Sequence, residues 1–200
     1  MSLTGFFLFS FLIVHLYINL FLFKQDHGAT FDVYAEFMAT YPLLRPVEIV
    51  LFAGFLLHAF VGVWLWITNR AVRPQRYKVN RASDSSTVTS RIAFWTGMFV
   101  AAFLVIHINT FFVKSRFFPD GRTMYEIVAQ AFKSPLYVVF YLIALVFLGY
   151  HIKHGFQSAL QTLGLNENRY QRLISIIGLL FWLIVPACFA AMPVYFFLVQ

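Results

Sequence analysis

Six histidines stand in 200 residues, and four of them, His15, His58, His107 and His151, lie within long apolar runs. An ionisable ring inside such a run is costly and is usually kept for function. Imidazole offers three kinds of chemistry there: ligation of a metal or of haem iron, relay of a proton, or a hydrogen bond between helices. The spacing of the four is regular. Gly5-Phe-Phe-Leu-Phe-Ser-Phe-Leu-Ile-Val-His15 and Gly97-Met-Phe-Val-Ala-Ala-Phe-Leu-Val-Ile-His107 match almost position by position. His58 follows His15 by 43 residues and His151 follows His107 by 44, and each of the second pair has a glycine four residues on, Gly62 and Gly155. The chain reads as one histidine-bearing helical hairpin written twice, with a tail.

The elements that carry these residues follow from composition. A chain 60% hydrophobic and 12% charged, with mean hydropathy +0.75, lacks the polar residues needed to cover a water-soluble fold. The single cysteine, Cys188, excludes a disulfide framework, a four-cysteine iron–sulfur cluster and a cysteine-rich zinc site within this chain. The expected fold is an all-α membrane protein, one transmembrane domain over 1–200, with five helices at about 5–23, 47–68, 92–113, 135–162 and 173–198. The first four form the histidine-bearing bundle. The first run has no preceding charge and no small-residue cleavage site after it, so it reads as a retained helix. A short interfacial helix is expected within 24–46, and 114–134 reads as a loop. Pro135 suits the first turn of the fourth span, Gly164 ends it, and Pro186 and Pro193 are placed to bend the fifth.

Charge sets an expected orientation. With the N-terminus inside, the inner loops hold Arg70, Arg73, Arg76, Lys78, Arg81, Arg91, Lys153, Arg169 and Arg172 against Asp84 and Glu167. The outer loops hold Lys24, Arg45, Lys114, Arg116, Arg122 and Lys133 against six acids. The excess of Lys and Arg favours N-terminus inside and C-terminus outside. The basic rim suits anionic lipid or an acidic face of a soluble partner as well as topology.

Depth then pairs the histidines. Counted along the spans at ~1.5 Å per residue, His15 and His107 lie towards the outside, while His58 and His151 lie towards the inside. Two couples at two levels fit two haems, each held by one imidazole from each of two helices, and so an electron path across the membrane. One metal centre would need its ligands at one level, and no apolar core here holds the Asp or Glu that a proton relay recruits. Gly54 and Gly62 share a face with His58, and Gly155 stands a turn beyond His151, leaving room for a porphyrin edge or for close helix packing. His27 falls in the outer loop. His154 rivals His151 as ligand, and the repeat favours His151.

The segments Phe37-Met-Ala-Thr-Tyr-Pro-Leu-Leu-Arg-Pro-Val-Glu-Ile-Val-Leu-Phe-Ala-Gly-Phe-Leu-Leu-His58 and His151-Ile-Lys-His-Gly-Phe-Gln-Ser-Ala-Leu-Gln-Thr-Leu-Gly164, with the four helix-borne histidines, give the chain a family resemblance. It resembles the dihaem cytochrome b membrane anchors of succinate:quinone oxidoreductases, the succinate dehydrogenase and fumarate reductase family, in their single-polypeptide five-helix form. The resemblance implies two b-type haems held by His15 with His107 (outer) and His58 with His151 (inner). It also implies a membrane quinone, menaquinone by expectation, as substrate, and flavoprotein and iron–sulfur subunits on the inner face carrying FAD and the clusters. The dicarboxylate site is then on another chain, and this one carries no catalytic residue of its own. The implied setting is the respiratory chain and the tricarboxylic acid cycle, in the cytoplasmic (inner) membrane of a bacterium, with no nucleic-acid partner.

Some members carry a glutamate two residues before the fourth-span ligand; Gly149 stands there in this chain. Arg70, Lys114 and His154 are the candidates for haem propionates, and Glu48 with Arg45 for a quinone at the outer mouth of the second span. Each is also a simple interfacial anchor or ion pair. Two rival readings remain: a cytochrome b subunit of formate dehydrogenase or hydrogenase type, and a haemless transporter or scaffold.

Overall fold

The computed structural model describes residues 1–71, 88–165 and 170–199. Arg73, Arg76, Lys78, Arg81 and Asp84 of the basic loop, and Glu167 and Arg169, lie outside the described residues. Among the described residues five helices are long and apolar enough to cross a membrane: Ser2–Phe23, Leu44–Ala71, Ser90–Phe117, Pro135–Thr162 and Gln171–Val199. At ~1.5 Å per residue the longer ones reach ~42 Å, beyond the ~30 Å hydrocarbon core. They therefore run into the headgroup layers. The helices therefore extend a few residues beyond most of the expected ends: Arg45 and Arg91 sit on first turns, and Arg70, Lys114 and Arg116 on last turns, where loop is expected from their charge. Among the described residues there is no strand.

The principal helix contacts run first to second, second to third, third to fourth, and fourth to first. The first and third spans, and the second and fourth, therefore face each other across the diagonals of a four-helix bundle. The fifth span packs outside it, against the fourth and the first.

Local sequence sets the ends and the irregular turns. Ser134 accepts a hydrogen bond from the Tyr137 N–H (3.4 Å) and Pro135 fills the first helical turn. Gly164, at φ +70°, closes the fourth span. In the fifth span a π-helical turn, Leu180–Ile184, directly precedes Pro186. Proline has no N–H for the carbonyl four residues back, that of Trp182, and the turn widens there. A second π turn, Asn109–Val113, follows His107 in the third span.

Call the face nearest Met1 the near side and the opposite one the far side. On the far side two short helices bridge the spans. Ala29–Thr40 is the interfacial helix the sequence predicts. Asp26 accepts from the Gly28 and Thr30 N–H groups and from the Thr30 hydroxyl. The second, Met124–Ala131, corrects the expected loop over 114–134. Thr123 and Glu126 form a reciprocal capping box at its start. Asp32 ties the two helices by accepting from the Tyr125 N–H (2.8 Å). Beneath them lies the main apolar core: Leu22, Phe31, Val128, Phe132, Tyr141 and Phe196, with Phe103 and Phe111 of the third span packed against it. The second span buries no residue at all, whereas the fourth contributes a continuous buried stripe.

Candidate functional site

The four histidines come together as two couples, one on each diagonal. His15 and His107 have ring centroids 5.8 Å apart with planes at 81°. His58 and His151 are 6.1 Å apart at 83°. All four rings are half-buried. His154, one turn beyond His151, is also half-buried and makes no ring contact with His58 comparable to that of His151.

The repeat explains how the levels are set. A Cβ on Gly5 would stand 3.9 Å from Cε1 of His58, and one on Gly97 would stand 3.0 Å from Cε1 of His151. The glycine ten residues before the histidine of each odd span thus lies beside the histidine of the following even span. Ten residues of helix are ~15 Å, which is the axial separation of the two couples. Gly54 and Gly62, expected beside a porphyrin, are covered otherwise. The ring of Phe7 lies where a Cβ on Gly54 would be, at 2.7 Å, and Met1 covers Gly62 at 3.5 Å. The packing is tight at Gly54 and an ordinary contact at Gly62. Around Gly155 the space is open.

The surroundings of the couples differ. Phe11 stacks on His15 (5.3 Å, 21°), Phe189 of the fifth span reaches it at 5.6 Å, and Phe103 and Phe111 flank His107 at 5.6 and 5.2 Å. The Tyr141 hydroxyl lies 2.7 Å from Nδ1 of His107. Asn19 donates to the His15 carbonyl at 2.7 Å, and its contact with His15 Nδ1, at 3.5 Å, is at the outer limit of a hydrogen bond. In the other couple, Nδ1 of His58 meets the Thr4 hydroxyl at 3.1 Å. Nδ1 of His151 is buried without a hydrogen-bond partner among the described residues.

The remaining candidates sit at the rims. Arg70 lies over the Trp66 ring (4.5 Å), which in turn stacks on Phe94. Lys114 is exposed at the far side, seven residues past His107. Glu48 and Arg45 form an ion pair within one helical turn (2.8 Å). His27 is in the far-side turn with φ 53°. Gly149 is buried, and a Cβ there would stand 2.8 Å from the Trp182 carbonyl oxygen. No longer side chain, a glutamate included, fits there unless the fourth and fifth spans separate.

Thr4, Asn19, Tyr141 and Phe189 were not singled out by sequence reasoning. Thr4 could have been found, since Thr4-Gly5 and Thr96-Gly97 extend the repeat by one position. Tyr141 carries no local signal, because its contact crosses between helices.

Fold and geometry together define a class: a five-span helical membrane protein with paired histidines across the diagonals of its bundle. The family model described as the succinate dehydrogenase/fumarate reductase transmembrane subunit matches residues 67–187, more than half of the chain. The chain belongs to this family and is a membrane-anchor subunit of that enzyme complex. The matched stretch contains His107 and His151 but not His15 or His58. No curated protein and no solved structure matches the chain.

Proposed function

We propose that this anchor is a dihaem cytochrome b that passes electrons between an iron–sulfur subunit and membrane quinone. The observation that carries the reading is the pair of diagonal histidine couples. Two imidazoles on opposite sides of one metal ion, each bonded at ~2 Å, have ring centroids ~6 Å apart. The separations of 5.8 and 6.1 Å match that arrangement. Among the described residues no three His, Cys, Asp or Glu groups converge on a metal site. A two-histidine couple suits a metal whose other ligands come from a macrocycle. Gly97, which leaves room for the His151 ring, fits such a site.

In this proposal His15 and His107 hold one haem, and His58 and His151 the other. Haem so held would supply one-electron transfer. The chain's own residues fix ring orientation through the outer nitrogens: Thr4 at His58 and Tyr141 at His107. The phenylalanines around His15 and His107 exclude water from that level. Arg70, Lys114 and His154 supply positive or donor groups at the rims for propionates. Quinone, by expectation menaquinone, is placed at the far-side mouth near Glu48 and Arg45, where their ion pair must open to admit it. A flavoprotein and an iron–sulfur protein dock on the near side, which faces the cytoplasm of a bacterial cell under the charge rule.

The test is a reduced-minus-oxidised optical spectrum of the chain purified with its partners. The reading expects a b-type spectrum, two haems per chain, and reduction by succinate through a co-purifying flavoprotein. A preparation without haem contradicts it and supports the scaffold alternative. Reduction by formate or hydrogen in place of succinate would support the other respiratory anchors.

A further inference from the structure

One ionisable side chain inside a span has no part in the proposed electron path. Lys153 counts as a loop cation by its charge, yet it stands within the fourth span, nine residues before the end at Thr162. That is ~14 Å from the near-side end of a helix that overshoots the hydrocarbon by ~6 Å, so its Cα lies within the apolar layer. A charge at that depth is costly and is usually kept for function. Two residues from His151, it stands about 200° round the helix, away from the bundle and towards the fifth span. There its Nζ lies over the Trp182 ring, 4.5 Å from the centroid. Among the described residues the acids all lie on the far side, and neither ion pair includes Lys153.

Lys153 does not stand alone. Gln157 and Gln161 follow it at one-turn intervals on the same face of the fourth span, and both are exposed. On the fifth span Ser175 and Gln171 share the face of Trp182, two and three turns nearer the near side, and both are exposed. The seam between the two spans is closed on its inner side by Phe156, which meets Gly178 and Phe181 of the fifth span and Phe9 of the first. Its outer side thus carries a polar strip, an ammonium and hydrogen-bonding side chains, beside exposed apolar residues such as Ile176 and Leu179. Lipid tails satisfy none of those polar groups.

We propose that the near-side seam between the fourth and fifth spans holds the headgroup of an anionic phospholipid. The phosphate meets the Lys153 ammonium beside the Trp182 ring, the long lysine stem letting the charge rise to it. The glutamines and Ser175 serve the remaining headgroup oxygens towards the surface. Charge selects the lipid: the seam offers a cation and donors, and no described carboxylate stands there to hold the positive group of a zwitterionic headgroup. The acyl chains continue along the lipid-covered face of the fifth span, where Leu179 and Leu183 are exposed. The site lies outside the four-helix bundle and does not depend on haem.

The test strips lipid in detergent from the full chain with its partner subunits and adds back phosphatidylglycerol or phosphatidylcholine with identical acyl chains. Native mass spectrometry counts what stays bound. The wild type is expected to retain one phosphatidylglycerol at least about 5-fold more tightly than phosphatidylcholine, the size of one lysine's attraction to anionic lipid. Lys153→Met should remove that preference and Lys153→Arg should keep it. Equal retention of the two lipids by the wild type, or an unchanged preference in Lys153→Met, overturns the proposal. Trp182→Leu keeps the ammonium, removes the ring beneath it and should lower the preference about 2-fold. It decides the matter if Lys153→Met does not assemble, and an unchanged preference there overturns the seam. Displacement of the lipid by millimolar inorganic phosphate overturns it in favour of a free anion. Loss of a partner subunit from Lys153→Met, with the lipid retained, overturns it in favour of a protein contact.

Discussion

The two histidine couples share a repeat and a ring geometry, 5.8 and 6.1 Å at nearly perpendicular planes, yet they stand in unlike surroundings. The far-side couple is walled by Phe11, Phe103, Phe111 and Phe189 and rests on the main apolar core through Tyr141. The near-side couple has two glycines and the Thr4 hydroxyl beside it, and one of its helices buries nothing. The spacing along the chain sets the levels, and the side chains facing each level set how tightly it is held. One level is secured by aromatic packing, the other by backbone proximity and the Thr4 hydroxyl.

The largest expected difference lies within the near-side couple. His151→Ala should reduce the haem count from two per chain to one, and His154→Ala should leave it at two. A pyridine haemochrome assay reads both, and the reverse outcome would reassign the ligand. A smaller effect separates the two glycines. A Cβ at Gly97 crowds the His151 ring at 3.0 Å, whereas one at Gly5 meets His58 at an ordinary 3.9 Å. Gly97→Ala should therefore lower near-side occupancy several-fold, and Gly5→Ala should leave it nearly unchanged. Equal occupancy in the two variants would break the asymmetry.

Tyr141→Phe acts at the other level. It removes the hydroxyl 2.7 Å from His107 and leaves a buried ring nitrogen unsatisfied, a cost of ~1–3 kcal/mol. A change in the spectrum or midpoint of the far-side haem alone is expected, and a change at both levels would contradict the separation. The smallest effect concerns the far-side turn. The Thr30 side chain, followed by the backbone N–H groups of Thr30 and Gly28, holds the Asp26 carboxyl below its usual range. Its contribution is thus fully present above the unfolded carboxylate pKa near ~4 and is lost as pH falls through the lower folded value. Asp26→Asn should slightly lower thermal stability at neutral pH and flatten its dependence at acid pH, read in a detergent melt.

The five spans and the histidine pairing were legible because hydropathy and a repeat are properties of the chain itself. The pairing needed only helical rise, and each expected couple is found ring to ring. What neighbouring helices present to each other was not legible. Gly54 shares the face of His58, but periodicity could not show that Phe7 would fill the space above it. Gly5 and Gly97 were seen as markers of the repeat, not as the places where imidazoles rest. The helix Met124–Ala131 was missed although Thr123-Met-Tyr-Glu126 spells its capping box. Mixed charge around that signal read as loop. Gly149 was noted as a departure, and only the Trp182 carbonyl explains why nothing larger sits there.

The central claim is that each diagonal couple holds its own haem. Counting haem per chain in wild type, His15→Ala, His58→Ala and the double variant tests it most directly. The account predicts two, one, one and none, with different spectral components lost in the two single variants. Loss of both haems in either single variant, with the chain still folded, or loss of the same component in both, would contradict it.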